Sequence, residues 1–285
     1  MPVVDTHAHI YSEDVNQYPQ ITDPYLPPLG CGTIQDLKKE VKQNNVDRVV
    51  VVQTFTVYQH DNRLTIDTVR ENNSWATGVL NLDPFDLESI NLMKEARQIG
   101  VRGNRVSAAW PTDDSILPEH YQLWEAAREL DVVICALLNP PNCRSLSRLM
   151  ETFPEVSVVL DHCANLNASD FPDSDNLKII LDLARFKNLY AKLSFVVTGS
   201  AEEFPCRDMF DMTRQIINAY TPERCIWGSD FPTSLWIPKV TYQQHLNIFD
   251  QQMELSKAEK AVILGEAALK LWFDSWPWKD YNSQL

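Results

Sequence analysis

Short apolar runs alternate with longer stretches in which apolar residues recur at helical spacing. The first run, Val3-Val4-Asp5-Thr6-His7-Ala8-His9-Ile10, reads as an extended strand. Residues 11–30 follow with no apolar period and with Tyr11, Tyr18, Pro19, Pro24, Tyr25, Pro27 and Pro28. A connection this long is unusual in a compact domain. It reads either as a lid or binding loop, or as a proline-stiffened surface loop. Thr33 then reads as an N-cap, with Ile34, Leu37 and Val41 on one helical face. From there the alternation is strict. Apolar strand-length runs cover 48–55, 76–82, 101–108, 132–138, 156–162, 189–195 and 224–230. Helical spacing covers 63–73, 87–99, 118–130, 144–153, 177–186, 206–220 and 258–273. The helix over 118–130 has Pro118 at its start and Leu123, Trp124, Ala127 and Leu130 on one face.

Near-continuous apolar strands separated by helices indicate a parallel sheet covered on both sides. Eight strand–helix pairs in 285 residues fit the α/β class, as a single (β/α)8 TIM barrel with a long loop after strand one. An open doubly wound sheet is the alternative, but the first strand–helix connection has no Gly-x-Gly-x-x-Gly, so a dinucleotide-binding version is not expected. With no linker, low-complexity segment or short repeat, residues 1–285 read as one domain. The tail with Trp276, Pro277 and Trp278 is expected to pack on the outside of the barrel.

In such a barrel the active site lies at the C-terminal ends of the strands. The polar residues there are His7 and His9, Gln53, Asn81, Arg105, Asn139, His162, Lys192 with Ser194, and Asp230, where packing alone would place Val, Ile or Leu. Side chains alternate along a strand, so Asp5, His7 and His9 are expected on one face. The two imidazoles can then converge on a metal ion or on a polarised substrate oxygen. His60, beside Asp61 and Asn62, either lines the barrel mouth or belongs to a helix-capping stretch. His120 and His245 are expected to be plain surface residues.

Three segments in this order, Asp5-Thr6-His7-Ala8-His9, Leu160-Asp161-His162 and Trp227-Gly228-Ser229-Asp230-Phe231-Pro232, resemble the amidohydrolase superfamily. More narrowly the chain resembles its amidohydrolase-2 branch, which includes 2-pyrone-4,6-dicarboxylate lactonase, sulfomuconolactone hydrolase and sugar-lactone hydrolases. Gly100-Val101-Arg102-Gly103-Asn104-Arg105, Lys192-Leu193-Ser194 and Gly265-Glu266-Ala267-Ala268 add smaller echoes. The resemblance implies a (β/α)8 barrel, hydrolysis of lactones, amides or related bonds, and active-site roles for His7, His9, His162 and Asp230. The chain departs from two-metal members, which carry a bridging Lys or Glu after strand four and a His after strand five. Here those strands end in Arg105-Val106-Ser107 and Leu137-Leu138-Asn139, so a binuclear site is not expected. Zinc decarboxylases of the branch use two further histidines beyond the His-x-His pair, and this chain offers only His162.

Lactone hydrolysis needs an activated water, a polarised carbonyl and an anchor for an anionic group. Asp230 is the natural general base, with His162 as a catalytic partner. His7, His9, His162 and Asp230 are expected to hold at most one Zn²⁺ or Mn²⁺, which would acidify the water. In the alternative, metal-free version the histidines donate hydrogen bonds to the carbonyl oxygen. Arg105 is the expected anchor for a carboxylate or sulfonate, with Gln53, Asn139 and Lys192 as further substrate contacts. Lys192 either neutralises the substrate or pairs with Asp5. The apolar Phe195-Val196-Val197-Thr198 after strand seven fits a smaller or aromatic acyl substrate better than a dianion. A metal-dependent decarboxylase of a small aromatic or unsaturated acid, and a non-catalytic small-molecule-binding barrel, are the alternative functions.

The net charge of −14 without a basic stripe excludes a nucleic-acid partner. It also requires that positive charge for an anionic substrate be placed locally. No apolar run approaches the ~18 residues of a membrane span, and Met1-Pro2-Val3-Val4-Asp5 has neither the basic start nor the apolar core of a secretory signal. Six scattered cysteines without a Cys-x-x-Cys pair indicate reduced thiols in a cytoplasm. Association into a homo-oligomer is left open.

Overall fold

The computed structural model of the protein describes residues 1–106 and 116–274. Its strands are β1 (Val4–Ala8), β2 (Arg48–Val52), β3 (Ala76–Leu80), β4 (Gly103–Val106), β5 (Val133–Ala136), β6 (Val158–Leu160), β7 (Leu189–Lys192) and β8 (Cys225–Ile226). All pair in parallel and in sequence order, which makes a nearly closed (β/α)8 TIM barrel. Ser107 and Ala108, the expected end of the fourth strand, lie outside the described residues, as does the tail with Trp276, Pro277 and Trp278. Every strand is shorter than its expected run, and β6 and β8 are the shortest. β6 stops at Leu160 because the chain turns into a tight coil, and β8 stops at Ile226 because the next residues bond to β1 instead of β7.

The covering helices include Ile34–Gln43, Arg63–Asn72, Ser89–Ile99, Pro118–Leu130, Cys143–Thr152, Asp175–Leu183 and Phe210–Tyr220. The last helix is compound: Lys257–Ala261 and Ala267–Trp272 are joined by a π-helical turn over Val262–Glu266. Thr33 caps its helix as expected. Its hydroxyl accepts from the Asp36 amide, and the Asp36 carboxylate accepts from the Thr33 amide. No helix among the described residues is long and apolar enough to cross a membrane.

The strands are apolar on both faces. Val49 and Val51 pack outward under the helices, whereas Val50 and Val52 join Val4, Val79, Val133, Cys135, Val159 and Ile226 in the interior. Burying each such valine contributes about 1.5–3 kcal/mol. The N-terminal end of this interior is stopped by Trp272, which occupies the space beside Gly103: a Cβ there would stand 3.0 Å from the indole ring. Apolar side chains thus fill most of the lower barrel, and the inward-facing charged side chains lie at the upper end.

The loop over 11–30 is tied to the short helix Phe55–Tyr58. Ile21 and Tyr25 amides donate to the Val57 and Thr56 carbonyls, and the Tyr58 hydroxyl accepts from the Ser12 amide. Its Tyr25 ring packs 5.3 Å from that of Trp236.

The barrel closes between β1 and the segment after β8. The Thr6, Asp230 and His9 amides donate across this seam to the carbonyls of Trp227, His7 and Phe231 at 3.1, 2.9 and 2.7 Å. The buried Asp5 carboxylate reinforces it. One oxygen accepts from the Ser229 amide (2.8 Å) and the His7 amide (3.0 Å), the other from the Ser229 hydroxyl (2.6 Å) and the Tyr242 hydroxyl (2.9 Å). Gly228 lets the two segments approach: a Cβ at this position would lie 2.7 Å from the His7 Cβ and 3.0 Å from its backbone nitrogen. Gly228→Ala must push strand one away, and overpacking of this kind costs about 1–3 kcal/mol. Urea titration should show a lower midpoint at unchanged slope; an unchanged midpoint would mean that the seam yields freely.

Candidate active site

His7 and His9 both reach the upper mouth of the barrel, with their Nε2 atoms 3.1 Å apart. Asp5 does not share their face as strand alternation predicts. The pairing register with β2 shifts between Asp5 and Ala8, and the Asp5 carboxylate turns under the seam. The His9 Nδ1–H donates to the Val52 carbonyl at 2.9 Å. Asp230 follows Gly228-Ser229 with a left-handed backbone (φ 54°) that turns its carboxylate inward. One of its oxygens lies 3.4 Å from His7 Nε2, the other 3.4 Å from His162 Nδ1.

His162 arrives by a different device. Val159 points into the barrel, so regular alternation would send Asp161 inward and His162 outward. The chain instead enters a left-handed turn in which His162, Cys163, Ala164 and Asn165 have φ of 51°, 46°, 56° and 60°. None is glycine, and each left-handed L-residue costs about 1–2 kcal/mol. The turn leaves both Asp161 and His162 facing the interior. His162 Nδ1 meets the Ser194 hydroxyl at 2.7 Å.

Beneath the histidines lies a buried layer of charge. The Asp161 carboxylate pairs with Arg105 Nε (2.8 Å) and with Lys192 Nζ (2.7 Å), and Lys192 Nζ also meets His7 Nδ1 at 3.0 Å. Burial alone would raise the Asp161 carboxyl, but Lys192 and Arg105 outweigh it and hold it well below the usual range. Burial, reinforced by Lys192, pushes His7 far down. Burial, with Arg105, takes His9 to about 3; burial, with Arg105 and Lys192, takes His162 to about 3 against the opposing pull of Asp161. All three imidazoles are therefore neutral near pH 7. Burial lifts Asp230 to about 7, although Lys192 and Arg105 pull it down.

A cavity of about 300 Å³ opens above these groups, lined by His9, Arg105, His162 and Asp230 with Phe55 and Trp236 among its apolar walls. Arg105 also borders a second hollow of about 180 Å³, with His60 and His120 among its lining.

Other residues singled out by the sequence are placed differently. Lys192 pairs with Asp161 and not with Asp5. The Gln53 amide is used inside the protein: its nitrogen donates to the Gln59 and Asp61 carbonyls, and its oxygen accepts from Thr65. Asn139 is exposed and accepts from Asn165, while Leu137 faces the cavity in its stead. His60 borders the second hollow, its Nδ1 3.1 Å from the Asn81 carbonyl. His120 and His245 are buried, contrary to their expected surface position. His120 Nδ1 accepts from the Leu117 amide at the helix start, and His245 Nδ1–H donates to the Ser229 carbonyl beneath Asp230. Asp161 and Trp236 are missed by a reading of strand ends. Alternation from Val159 marks Asp161 as inward-facing; nothing in the sequence marks Trp236.

Ligand atoms of His7, His9 and Asp230 lie within 4.8 Å of one another, a group that His162 does not join. Metal-bound histidines donate their second ring N–H to an acceptor. His9 meets this condition through Val52, but His7 Nδ1 faces the Lys192 ammonium, which has only protons to offer. As arranged, the donor set does not fit a metal ion.

Comparison with known proteins agrees with this architecture. The chain is 26% identical over 238 residues to a 4-sulfomuconolactone hydrolase of Rhizobium radiobacter, covering 81% of this chain and 75% of that one. It is 26% identical over 242 residues to an L-fucono-1,5-lactonase of Burkholderia ambifaria, covering 81% and 80%. The structure superposes on a putative 2-pyrone-4,6-dicarboxylic acid hydrolase of Pseudomonas putida with a TM-score of 0.82 at 19% identity, over 95% of this chain and 97% of that one. The sequence model described as amidohydrolase matches residues 4–273, nearly the whole chain, and the protein belongs to that family of hydrolases.

Proposed function

We propose that the protein hydrolyses a small lactone bearing one anionic group, without routing the reaction through a metal ion. The observation that carries this reading is the Asp230 carboxylate, held 3.4 Å from both His7 and His162 at the wall of a small cavity in the barrel mouth. Two relatives are named for lactone hydrolysis, which supports the substrate class. A cavity of about 300 Å³ accommodates a single substituted ring.

In this reaction Asp230 takes a proton from a water as the water oxygen adds to the lactone carbonyl carbon. The carbonyl electron pair moves onto oxygen, where an N–H of His162 stabilises it. The ring C–O bond then breaks, and the proton held by Asp230 passes to the departing alkoxide, giving a hydroxy acid. His9 is not a donor here, because its one N–H is on Val52. Arg105 anchors the substrate anion. Its Nε is taken by Asp161, and its terminal nitrogens have no partner among the described residues. The walls near Phe55, Leu137 and Trp236 are apolar, which favours a monoanion.

The test is turnover of a panel of anionic lactones, followed by acid release. On the substrate found, Asp230→Asn should lose about 10²–10⁴-fold in kcat, the usual contribution of a general base, with the circular dichroism spectrum unchanged. Near-normal turnover would rule out this mechanism. A base must be ionised, and burial raises the Asp230 carboxyl to about 7. The wild-type kcat/KM should therefore fall about tenfold per pH unit below about 7, where an ordinary aspartate would hold its rate to about 4. Arg105→Met should lower kcat/KM by about 10²-fold on an anionic lactone and far less on its neutral ester. Equal losses on the two substrates would make Arg105 purely structural.

A further inference from the structure

The geometry points to Lys192 as the residue that sets the state of the His-x-His pair: it fixes the proton of His7 on Nε2 and thereby withholds the pair from metal chelation. Lys192, Asp161 and His7 are fully buried. Lys192 Nζ is 2.7 Å from an Asp161 oxygen and 3.0 Å from His7 Nδ1. An ammonium carries donors only, so Nδ1 must accept. A neutral imidazole has one N–H, and for His7 it is therefore on Nε2. That proton faces His9 Nε2 at 3.1 Å and an Asp230 oxygen at 3.4 Å. His9 Nε2 is a bare lone pair, because the His9 proton is committed to Val52. The direction of every hydrogen bond is thus fixed, from Lys192 through His7 to His9 and Asp230.

A metal ion needs lone pairs on both Nε2 atoms. To supply the second, the His7 proton would have to move to Nδ1 and confront the ammonium at 3.0 Å. The Asp161 carboxylate, 2.7 Å from Nζ, holds that ammonium in place against His7. The same carboxylate supplies the test, because its oxygen lies 3.9 Å from His7 Nδ1. Once the ammonium is removed, His7 Nδ1–H can turn to Asp161, which gives the carboxylate–histidine pair that prepares a ligating imidazole. Arg105 remains to balance the carboxylate, so the variant need not bury an unpaired charge.

This inference deepens the proposed reaction by assigning the state of its own site, and its tests need no substrate. Failure here leaves the lactone assignment standing, and failure of the lactone assignment leaves this one. In wild-type protein labelled with ¹⁵N-histidine, the His7 ring should show the Nε2–H pattern, assigned by its loss in His7→Gln. The Nδ1–H pattern would overturn the inference whether or not any variant folds. Zinc affinity, measured by competition with a chromogenic chelator, should rise about 10–100-fold in Lys192→Met. The His7 pattern should move to Nδ1–H in the same variant, and Lys192→Gln serves as a second variant if the first is unstable. Zinc affinity unchanged in a folded variant, or tight stoichiometric zinc binding by the wild type through His7 and His9, would overturn it equally.

Discussion

The Asp5 carboxylate is the contact on which both closure and chemistry depend. Four donors converge on it, from His7, Ser229 twice and Tyr242, in a place where no water is needed to satisfy them. A carboxylate so enclosed resists ionisation; burial raises Asp5 while these hydrogen bonds pull it back. Its position matters as much as its charge. It grips the residue just before Asp230 and the backbone nitrogen of His7, so Asp230 and His7 share one anchor. His245, buried below, holds the Ser229 carbonyl from the other side. The distance between Asp230 and His7 is therefore set by the seam and not by the two side chains alone.

Above this anchor the barrel carries two buried cations and one firmly ionised carboxylate, where most of its interior is valine. Taking such charges from water is expensive, and an apolar layer of equal volume would often be as stable. What the layer contributes is direction. Asp161 holds the Arg105 guanidinium by Nε, and Lys192 dictates which nitrogen of His7 carries the proton. Burial, with Arg105 at both and Lys192 at His162, keeps His162 and His9 neutral, and the two cations restrain the rise that burial gives Asp230. Stability is spent here to settle protonation states.

Much of this was legible in the chain. Alternating strand and helix patterns give eight parallel strands, and the polar residues at their ends include His7, His9, Arg105, His162, Lys192 and Asp230, all found at the upper barrel. The misses share a cause: strand alternation assumes regular backbone. It holds for Val49 to Val52. It fails at β1, where the register shifts and Asp5 leaves the face of His7 and His9. It fails after β6, where a left-handed turn brings His162 inward beside Asp161. Gln53 and Asn139 sit at strand ends as expected, but what a polar group does there depends on neighbours outside the strand, which strand alternation does not reveal: Asp61 and Thr65 for one, Asn165 for the other. His120 and His245 read as surface residues because a lone histidine in a helix has no sequence partner; their partners, Leu117 and Ser229, are backbone groups.

The left-handed turn at His162–Asn165 also bears on how this protein can change over generations. Glycine tolerates such backbone without steric strain, so a glycine at Asn165, the exposed end of the turn, offers a short route to a more robust fold. It would also loosen the chain that aims His162, trading aim for durability. Selection for heat resistance and selection for turnover therefore pull in opposite directions over the same codon. A lineage held to both demands has to find its robustness elsewhere in the barrel.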